Sequence, residues 1–137
     1  MPYVDGKAGG DGWVMNGLNW YYMSSGKLQT GWRSISGSWY WFDPYTGAMA
    51  TGWIWDGSAW YYANVIGGMQ TGWVSNGGLW YYFGDSGAMT IGWCMVDDSW
   101  YYLSCSGVML TGWQRVGGVW YYLYSSGAMA TSQWIGS

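Results

Sequence analysis

The chain has 137 residues and a net charge of −3, with 15 Trp and 14 Tyr but no His and no Glu. Because most general-base, Ser-His-Asp and zinc sites use His or Glu, we predict a protein that is not an enzyme, with no catalytic residue, metal site or cofactor. The acidic balance argues against binding to nucleic acids or anionic membranes. No apolar run reaches the roughly 20 residues that span a bilayer, so membrane insertion is not expected.

The chain begins and ends with what resemble partial repeats. Residues 1–11 contain Tyr3-Val4-Asp5-Gly6-Lys7, which resembles the tail of a hairpin, and residues 132–137 resemble the first strand of a further unit. Between them, residues 12–131 form six copies of a unit of about twenty residues. A fixed period in this range is typical of a solenoid, whose end faces need covering, and Tyr3 and Trp134 are candidates for that capping.

Each of the six units is predicted to be a β-hairpin. A unit opens with Gly-Trp, and a second tryptophan follows seven residues later, usually as Trp-Tyr-Tyr. Trp, Tyr and β-branched residues favour strands, and glycines mark the turns between them. The six tryptophan pairs are Trp13/Trp20, Trp32/Trp39, Trp53/Trp60, Trp73/Trp80, Trp93/Trp100 and Trp113/Trp120.

The turns predict how the two tryptophans of a hairpin face each other. Asn-Gly or Asp-Gly occurs at 16–17, 56–57 and 76–77, and such pairs favour two-residue turns. This count places the first tryptophan directly across from the second, on one face of the ribbon. The predicted opposite pairs are Trp13 with Trp20, Trp53 with Trp60, and Trp73 with Trp80. The segments Ile35-Ser36-Gly37 and Val96-Asp97-Asp98 depart from this pattern and predict a longer loop or a bulge.

Strand alternation separates the two tyrosines of each Trp-Tyr-Tyr segment. In the first unit, Trp20 and Tyr22 face one way and Tyr21 faces the other. Either one aromatic face is the core and the other binds a ligand, or both are buried between stacked hairpins. We assign the first tyrosine of each segment to packing and the paired tryptophans to a ligand cage, because Leu or Val would pack as well as Trp. The packing tyrosines are Tyr21, Tyr61, Tyr81, Tyr101 and Tyr121.

A glycine and an apolar side chain follow every hairpin. The glycine is predicted to adopt a positive φ, so that the next apolar residue folds back onto the aromatic surface. Met suits such an edge because it is flexible and its sulfur contacts rings favourably. The pairs are Gly26 and Leu28, Gly47 and Met49, Gly68 and Met69, Gly87 and Met89, Gly107 and Met109, and Gly127 and Met129.

Two indoles from one hairpin and a ring from its neighbour would form a three-walled box. Such a box suits a quaternary ammonium group, whose methyl groups are easily desolvated and whose charge is attracted to ring faces. It suits a Lys ammonium poorly, because that group is strongly hydrated. Each ring contact contributes roughly 0.5–2 kcal/mol, and repetition along the chain adds avidity for a polymer that carries many ligands.

The pattern Gly-Trp-(x)6-Trp-Tyr-Tyr, followed by Gly-x-Met-x-Thr-Gly-Trp, resembles the choline-binding repeat of Gram-positive surface proteins and phage lysins. The resemblance covers the chain from Gly12 to Trp134. It implies an all-β, left-handed solenoid of stacked β-hairpins. It also implies that choline lies between consecutive hairpins, enclosed by two Trp from one hairpin, a Tyr from the next and a Met or Leu as the fourth wall.

Carried over by position, the resemblance implies four complete sites. These are Trp32, Trp39, Met49 and Tyr62; Trp53, Trp60, Met69 and Tyr82; Trp73, Trp80, Met89 and Tyr102; and Trp93, Trp100, Met109 and Tyr122. The first repeat departs from the pattern, since its set is Trp13, Trp20, Leu28 and Trp41. The last set, Trp113, Trp120 and Met129, needs Trp134 or a partner chain to complete it. The choice of the second tyrosine as a wall rests on strand parity.

The resulting expectation is a non-catalytic module that recognises choline or phosphocholine on teichoic and lipoteichoic acids. It would be secreted or at the cell surface, bound non-covalently to the wall, with a possible homodimer through a terminal repeat. One alternative is a glucan-binding array that uses the same aromatics as sugar-stacking platforms. Another is a purely structural repeat module. Cys94 and Cys105 form a disulfide in one interpretation and are neutral substitutions in the other.

Overall fold

The structure is a computed structural model that describes residues 11–130, together with the backbone of two short strands before them. Predictions for Trp134, and for the side chain of Tyr3, lie outside the described residues. All named elements are β-strands, as the sequence predicts. In the described part of the chain, no helix has the length and apolar character needed to cross a bilayer.

Seven short antiparallel sheets follow one another along the described part of the chain. The first joins β1 (Tyr3–Val4) to β2 (Lys7–Ala8). The next, hairpin 1, contains β3 (Gly12–Asn16) and β4 (Asn19–Ser24), with β5 (Lys27–Leu28) added beside β4. Hairpins 2 to 6 are β6 (Gly31–Ile35) with β7 (Ser38–Phe42), β8 (Gly52–Trp55) with β9 (Trp60–Ala63), β10 (Gly72–Asn76) with β11 (Leu79–Phe83), β12 (Gly92–Val96) with β13 (Ser99–Leu103), and β14 (Gly112–Val116) with β15 (Val119–Leu123). The prediction of six consecutive hairpins is confirmed.

The chain divides into two units, Met1–Gln70 and Thr71–Ser137. Hairpins 1 to 3 belong to the first unit and hairpins 4 to 6 to the second.

The register differs from the prediction in hairpins 1, 3 and 4, for which opposite pairs were predicted. The turn of hairpin 1 lies at residues 17–18 instead of 16–17, because Asn16 pairs with Asn19. Moving a turn by one position shifts the register by two residues, so every side chain keeps its face. The two tryptophans therefore remain on one face, but as diagonal neighbours and not as a direct pair. The predicted opposite pairs are wrong: Trp13 pairs with Tyr22, Trp53 with Tyr62, and Trp73 with Tyr82.

The two turns predicted to be irregular are regular two-residue turns. Ile35 pairs with Ser38, and the two residues between them have φ values of 52° and 87°. In hairpin 5, Asp97 and Asp98 have φ values of 48° and 69°. Positive φ at both central residues is the type I′ geometry that matches strand twist, and Asp tolerates that region better than most residues. The predicted longer loop or bulge is therefore wrong at both positions.

The segment after each hairpin folds back onto its second strand. The turning glycine has a φ between 78° and 91° in the last five repeats, at Gly47, Gly67, Gly87, Gly107 and Gly127. The third repeat thus uses Gly67, and the prediction of Gly68 is wrong by one residue. The apolar residue that follows forms a short antiparallel bridge, as Met49 does with Phe42 and Met109 with Leu103.

Among the described residues, the buried core contains a row of one residue per hairpin, together with Val14 and Ile54, and none of the tryptophans. The residue of this row follows the Trp-Tyr-Tyr segment and lies opposite the glycine of Gly-Trp, as Met23 lies opposite Gly12. Its exposed fraction is 0–1% in every hairpin: Met23, Phe42, Ala63, Phe83, Leu103 and Leu123. The register that buries this row leaves the aromatic side chains half-buried around it.

Consecutive hairpins within a unit are joined by a backbone hydrogen bond. In the first unit, the N–H of Met49 donates to the carbonyl of Trp20, and the N–H of Met69 donates to that of Trp39, both at 2.8 Å. In the second unit, Met109 donates to Trp80 and Met129 to Trp100. The methionine that follows one hairpin is therefore held beside the second tryptophan of the hairpin before it.

Candidate functional site

The two tryptophans of a hairpin form a corner. In hairpin 5, the ring centroids of Trp93 and Trp100 lie 6.4 Å apart with an interplanar angle of 88°. The same arrangement occurs in hairpins 1, 3 and 4, with separations of 6.2–6.5 Å. The second tryptophan keeps 38–46% of its surface exposed in hairpins 1 to 5. A partly exposed, perpendicular pair of indoles offers two ring faces to a ligand.

The third wall is the first tyrosine of the following hairpin. Two stacked ribbons meet through opposite faces, so the tryptophan face of one hairpin contacts the other face of the next, where the first tyrosine lies. The centroid distances are 4.9 Å for Trp13–Tyr40, 4.7 Å for Trp32–Tyr61, 4.9 Å for Trp73–Tyr101 and 4.8 Å for Trp93–Tyr121.

The structure therefore contradicts the predicted choice of tyrosine. The second tyrosine shares a face with the tryptophans of its own hairpin and contacts the first of them. The pairs are Trp32–Trp41, Trp53–Tyr62, Trp73–Tyr82, Trp93–Tyr102 and Trp113–Tyr122, at 4.9–6.4 Å. Strand alternation correctly predicts that the second tyrosine shares a face with the tryptophans of its own hairpin. It does not predict which face of the next hairpin packs against those tryptophans. The sequence predicts only packing for the first tyrosines, but Tyr61, Tyr101 and Tyr121 form this third wall.

The methionine wall also comes from the following repeat. Because the Met49 backbone is bonded to Trp20, Met49 lies with Trp13 and Trp20, and grouping it with Trp32 is wrong. By the same bond, Met69 lies beside Trp39, Met109 lies with Trp73 and Trp80, and Met129 lies with Trp93 and Trp100. Leu28 instead pairs with Met23, and the Met89 sulfur lies where a Cβ on Gly107 would be.

These walls define four boxes within the units, each named after its first tryptophan. The sets are Trp13, Trp20, Tyr40 and Met49; Trp32, Trp39, Tyr61 and Met69; Trp73, Trp80, Tyr101 and Met109; and Trp93, Trp100, Tyr121 and Met129. The Trp13, Trp73 and Trp93 boxes enclose cavities of about 420, 330 and 290 Å³. Such volumes suit a small ligand group.

The rims of two boxes differ in polarity. Val65 and Ile66, from the loop after hairpin 3, complete the lining of the Trp13 box. Both side chains are more than two-thirds exposed to solvent. Ser125 and Ser126, from the loop after hairpin 6, complete the Trp73 box. The first rim is apolar and the second is polar, although the walls below them are alike.

A carboxylate contacts the Trp32 box. Asp56 Oδ2 accepts a 3.0 Å hydrogen bond from Trp32 Nε1. Partial burial acts to raise the pKa of Asp56, but hydrogen bonds from Trp32, Ser58 and Ala59 outweigh it and lower the pKa to about 2. Burial raises the pKa of the Tyr61 phenol, and the Asp56 charge adds to this effect. The carboxylate is therefore ionised at neutral pH and interacts with two walls of one box.

Two further predicted tryptophan pairs lie in hairpins 3 and 6. Trp53 and Trp60 lie 6.2 Å apart, and Trp55 lies 5.4 Å from Trp60 on the strand opposite. Trp113 and Trp120 are each more than half exposed. The guanidinium carbon of Arg115 lies 5.9 Å from the centre of the Trp120 ring, a weak cation–π contact. The predicted completion by Trp134 lies outside the described residues.

Little else in the described residues suggests chemistry. They contain no group of three or more His, Cys, Asp or Glu side chains that would hold a metal ion. Cys94 and Cys105 are free thiols, which corresponds to the second interpretation given above. The boxes are therefore the features of the described chain that are built to hold a ligand.

The sequence matches a family model described as the choline-binding repeat over residues 12–52, 50–91, 70–111 and 90–134. A comparison with curated protein sequences finds no match. Among solved structures, the chain is similar to choline binding protein F (CbpF) from Streptococcus pneumoniae, solved with a peptidoglycan analogue. The identity is 46% over 92% of this chain and 43% of that chain, with a TM-score of 0.86.

Two other solved structures extend the comparison. CbpF in complex with ipratropium is 42% identical, over 92% of this chain and 45% of that chain, with a TM-score of 0.84. The cell wall endolysin of phage Cp-1, complexed with choline, is 36% identical, over 90% of this chain and 37% of that chain, with a TM-score of 0.59. The chain thus spans less than half the length of each of these structures.

Proposed function

Since this chain belongs to the choline-binding repeat family, we propose that it is a non-catalytic module that holds the choline of teichoic and lipoteichoic acids in its aromatic boxes. The geometry of the Trp93 box carries the proposal most directly. Two perpendicular indoles, a tyrosine 4.8 Å from one of them and a methionine enclose a cavity with no polar lining residue but Tyr121. A trimethylammonium group needs this kind of surface, because its charge is diffuse and its methyl groups are apolar.

Magnitudes favour a polymer as the natural ligand. Three rings at roughly 0.5–2 kcal/mol each give a few kcal/mol per box, which corresponds to a dissociation constant near the millimolar range. Single choline groups would then bind weakly. A polymer that presents many of them would gain roughly 10²–10⁴-fold through linked binding. A wall teichoic acid with repeated phosphocholine groups provides such an array.

The location follows from the ligand. A module that holds a wall polymer through several weak boxes would be secreted or at the cell surface and bound to the wall non-covalently. The endolysin solved with choline supports the choice of ligand, and the pneumococcal CbpF supports the choice of surface. A homodimer through a terminal repeat stays a prediction, to be checked by measuring the solution mass with and without choline.

Titration calorimetry tests the proposal. The protein is titrated with choline chloride and, separately, with a linear glucan oligosaccharide, and tryptophan fluorescence is followed in parallel. We expect saturable choline binding with a fluorescence change and no response to the glucan. Saturation by the glucan alone would support the sugar-binding alternative, and silence towards both ligands would support a purely structural module. Either result would overturn the proposed function.

A further inference from the structure

The Trp32 box differs from the other boxes at one strand position. The position lies in the following hairpin, three residues after the tryptophan of its Gly-Trp pair. For the Trp32 box this tryptophan is Trp53, and the residue is Asp56. For the Trp13, Trp73 and Trp93 boxes, the corresponding residues are Ile35, Val96 and Val116. The position is partly buried in all four hairpins. One box therefore has a carboxylate where the other three have a branched apolar side chain.

The Asp56 carboxylate is held firmly in place. Its Oδ2 accepts from Trp32 Nε1 at 3.0 Å, across the gap between hairpins 2 and 3. Its Oδ1 accepts from the Ser58 N–H at 2.9 Å, the Ser58 hydroxyl at 2.8 Å and the Ala59 N–H at 3.0 Å. The turn of hairpin 3 thus fixes the charge against the edge of the Trp32 indole. The centroid of the Tyr61 ring lies 4.7 Å from that of Trp32.

The charge of Asp56 is not neutralised by these contacts. All of the partners are uncharged indole, hydroxyl and amide groups. Because a quaternary ammonium group has no N–H to donate, Asp56 acts on it through its field and not as a hydrogen-bond acceptor. The field of one charge acts over about 8 Å at physiological ionic strength. Trp32 and Tyr61, two walls of the Trp32 box, lie within that range of the carboxylate.

We infer that Asp56 is a specificity-determining residue of the Trp32 box, which makes this box prefer a bare quaternary ammonium cation to one that carries a phosphate. The inference rests on the proposed function, because it assumes that the boxes hold ammonium groups. An ammonium ion is attracted to the carboxylate, whereas a phosphate two carbons away is repelled by it. The Trp13, Trp73 and Trp93 boxes, with Ile35, Val96 and Val116, lack this term at the same position.

The expected size of the effect follows from the exposure of the site. Partly exposed charge pairs in proteins contribute about 0.2–1 kcal/mol, which corresponds to a change in affinity of roughly 1.5- to fivefold. The ratio of choline affinity to phosphocholine affinity should therefore be roughly 1.5- to fivefold higher for the Trp32 box than for the Trp73 box. The difference should shrink at 1 M salt, where the screening length falls to about 3 Å.

Each box has its own methionine, so the boxes can be titrated separately in one sample. The protein is labelled with ¹³C-methyl methionine, and Met69 reports on the Trp32 box while Met109 reports on the Trp73 box. Choline and phosphocholine are titrated against the wild-type protein, D56N and V96D. We expect the Met69 ratio to fall to the Met109 value in D56N, and the Met109 ratio to rise in V96D.

D56N changes both the charge and the hydrogen bond to Trp32, so its effect alone could be structural. A higher Met109 ratio in V96D can arise only from the added charge, because V96D leaves the Trp32 hydrogen bond intact. D98N is the charge-matched control. It removes one carboxylate at a turn with φ of 69°, where Asn is well tolerated, and it should leave the Met69 ratio unchanged. If choline shifts both reporters but the ratio is the same in all variants, the inference is overturned and the proposed function stands. If choline shifts neither reporter, the proposed function itself fails.

Discussion

At the scale of single residues, the two tyrosines of one segment serve different boxes. Tyr101 contacts Trp73 of the preceding hairpin, whereas Tyr102 contacts Trp93 of its own hairpin, both at 4.9 Å. The sequence separated these tyrosines into two faces correctly, because alternation is a local property of a strand. It did not predict which face meets the neighbouring hairpin, because that depends on how the loops stack one ribbon on the next.

The two tyrosines can be told apart by substitution. We expect Y101A to weaken choline binding at the Trp73 box by roughly 2- to 30-fold, as the loss of one ring wall predicts, with the Trp93 box unchanged. Y102A should act on the Trp93 box, whose first indole it supports. The methyl signals of Met109 and Met129 report on the two boxes during a choline titration. Y45A is the control, since Tyr45 is 94% exposed and lines none of the four boxes. The reverse assignment, with Y102A silencing Met109, would contradict the structure.

The lowered pKa of Asp56 predicts that this residue contributes to the stability of the fold in mild acid. Its folded-state pKa, about 2, is below the unfolded value of 3.8, so its contribution to the free energy of unfolding is present above pH 4. That contribution is lost as the pH falls towards 2 and the carboxylate is protonated. Urea unfolding measured between pH 5 and pH 2 should therefore show a smaller decline in D56N than in the wild-type protein. If the free energy of unfolding fell equally with pH in the two proteins, the hydrogen bonds to Asp56 would not stabilise the fold.

At the scale of elements, the hairpins and their loops were predictable, but their register was not. Gly-Trp, Trp-Tyr-Tyr and the turn glycines are local signals, and they place each strand to within one or two residues. The turn position is decided by packing, because only a turn at 17–18 brings Met23 opposite Gly12 and into the core. The source of the methionine wall was missed for a related reason. The hydrogen bond from Met49 to Trp20 joins residues that are distant in sequence.

The loop glycines are required by both backbone and packing. Gly127 has φ of 91°, and a Cβ placed on it would collide with the sulfur of Met109. We expect G127A to destabilise the protein by about 1–3 kcal/mol and to disturb Met109 in the Trp73 box. Gly84 is the matched control, because its φ is not positive and a Cβ placed on it would lie 3.9 Å from the nearest atom, the carbonyl oxygen of Ala88. Thermal unfolding should show a lower Tm for G127A than for G84A, and equal Tm values would contradict this packing.

The rim loops are expected to affect which ligands the boxes prefer. Val65 and Ile66 give the Trp13 box an apolar edge, whereas Ser125 and Ser126 give the Trp73 box a polar one. Replacing both residues, V65S with I66S, should weaken binding of a quaternary ammonium with a bulky apolar substituent at the Trp13 box, through lost burial of apolar surface. Tetrapropylammonium, followed by the Met49 methyl signal, is a suitable probe. Unchanged binding would mean that the rim does not contact the ligand.

At the scale of the whole molecule, repetition makes the fold and the ligand interdependent. Each box is assembled from two hairpins, so a ligand in it stabilises the contact between neighbouring repeats. A ligand that binds only folded boxes raises the free energy of unfolding by about 1.4 kcal/mol per box at ten times its dissociation constant. We therefore expect choline to raise the Tm by several degrees, whereas ethanolamine hydrochloride at the same ionic strength should not. An equal effect of both salts would indicate general ion effects and not occupied boxes.

A structure determined after soaking crystals in choline tests the central claim most directly. We expect a trimethylammonium group between Trp93, Trp100, Tyr121 and Met129, with its methyl groups against the ring faces, and equivalent groups in the other boxes. Choline bound elsewhere, or boxes that stay empty at saturating ligand while their rings close against one another, would contradict it.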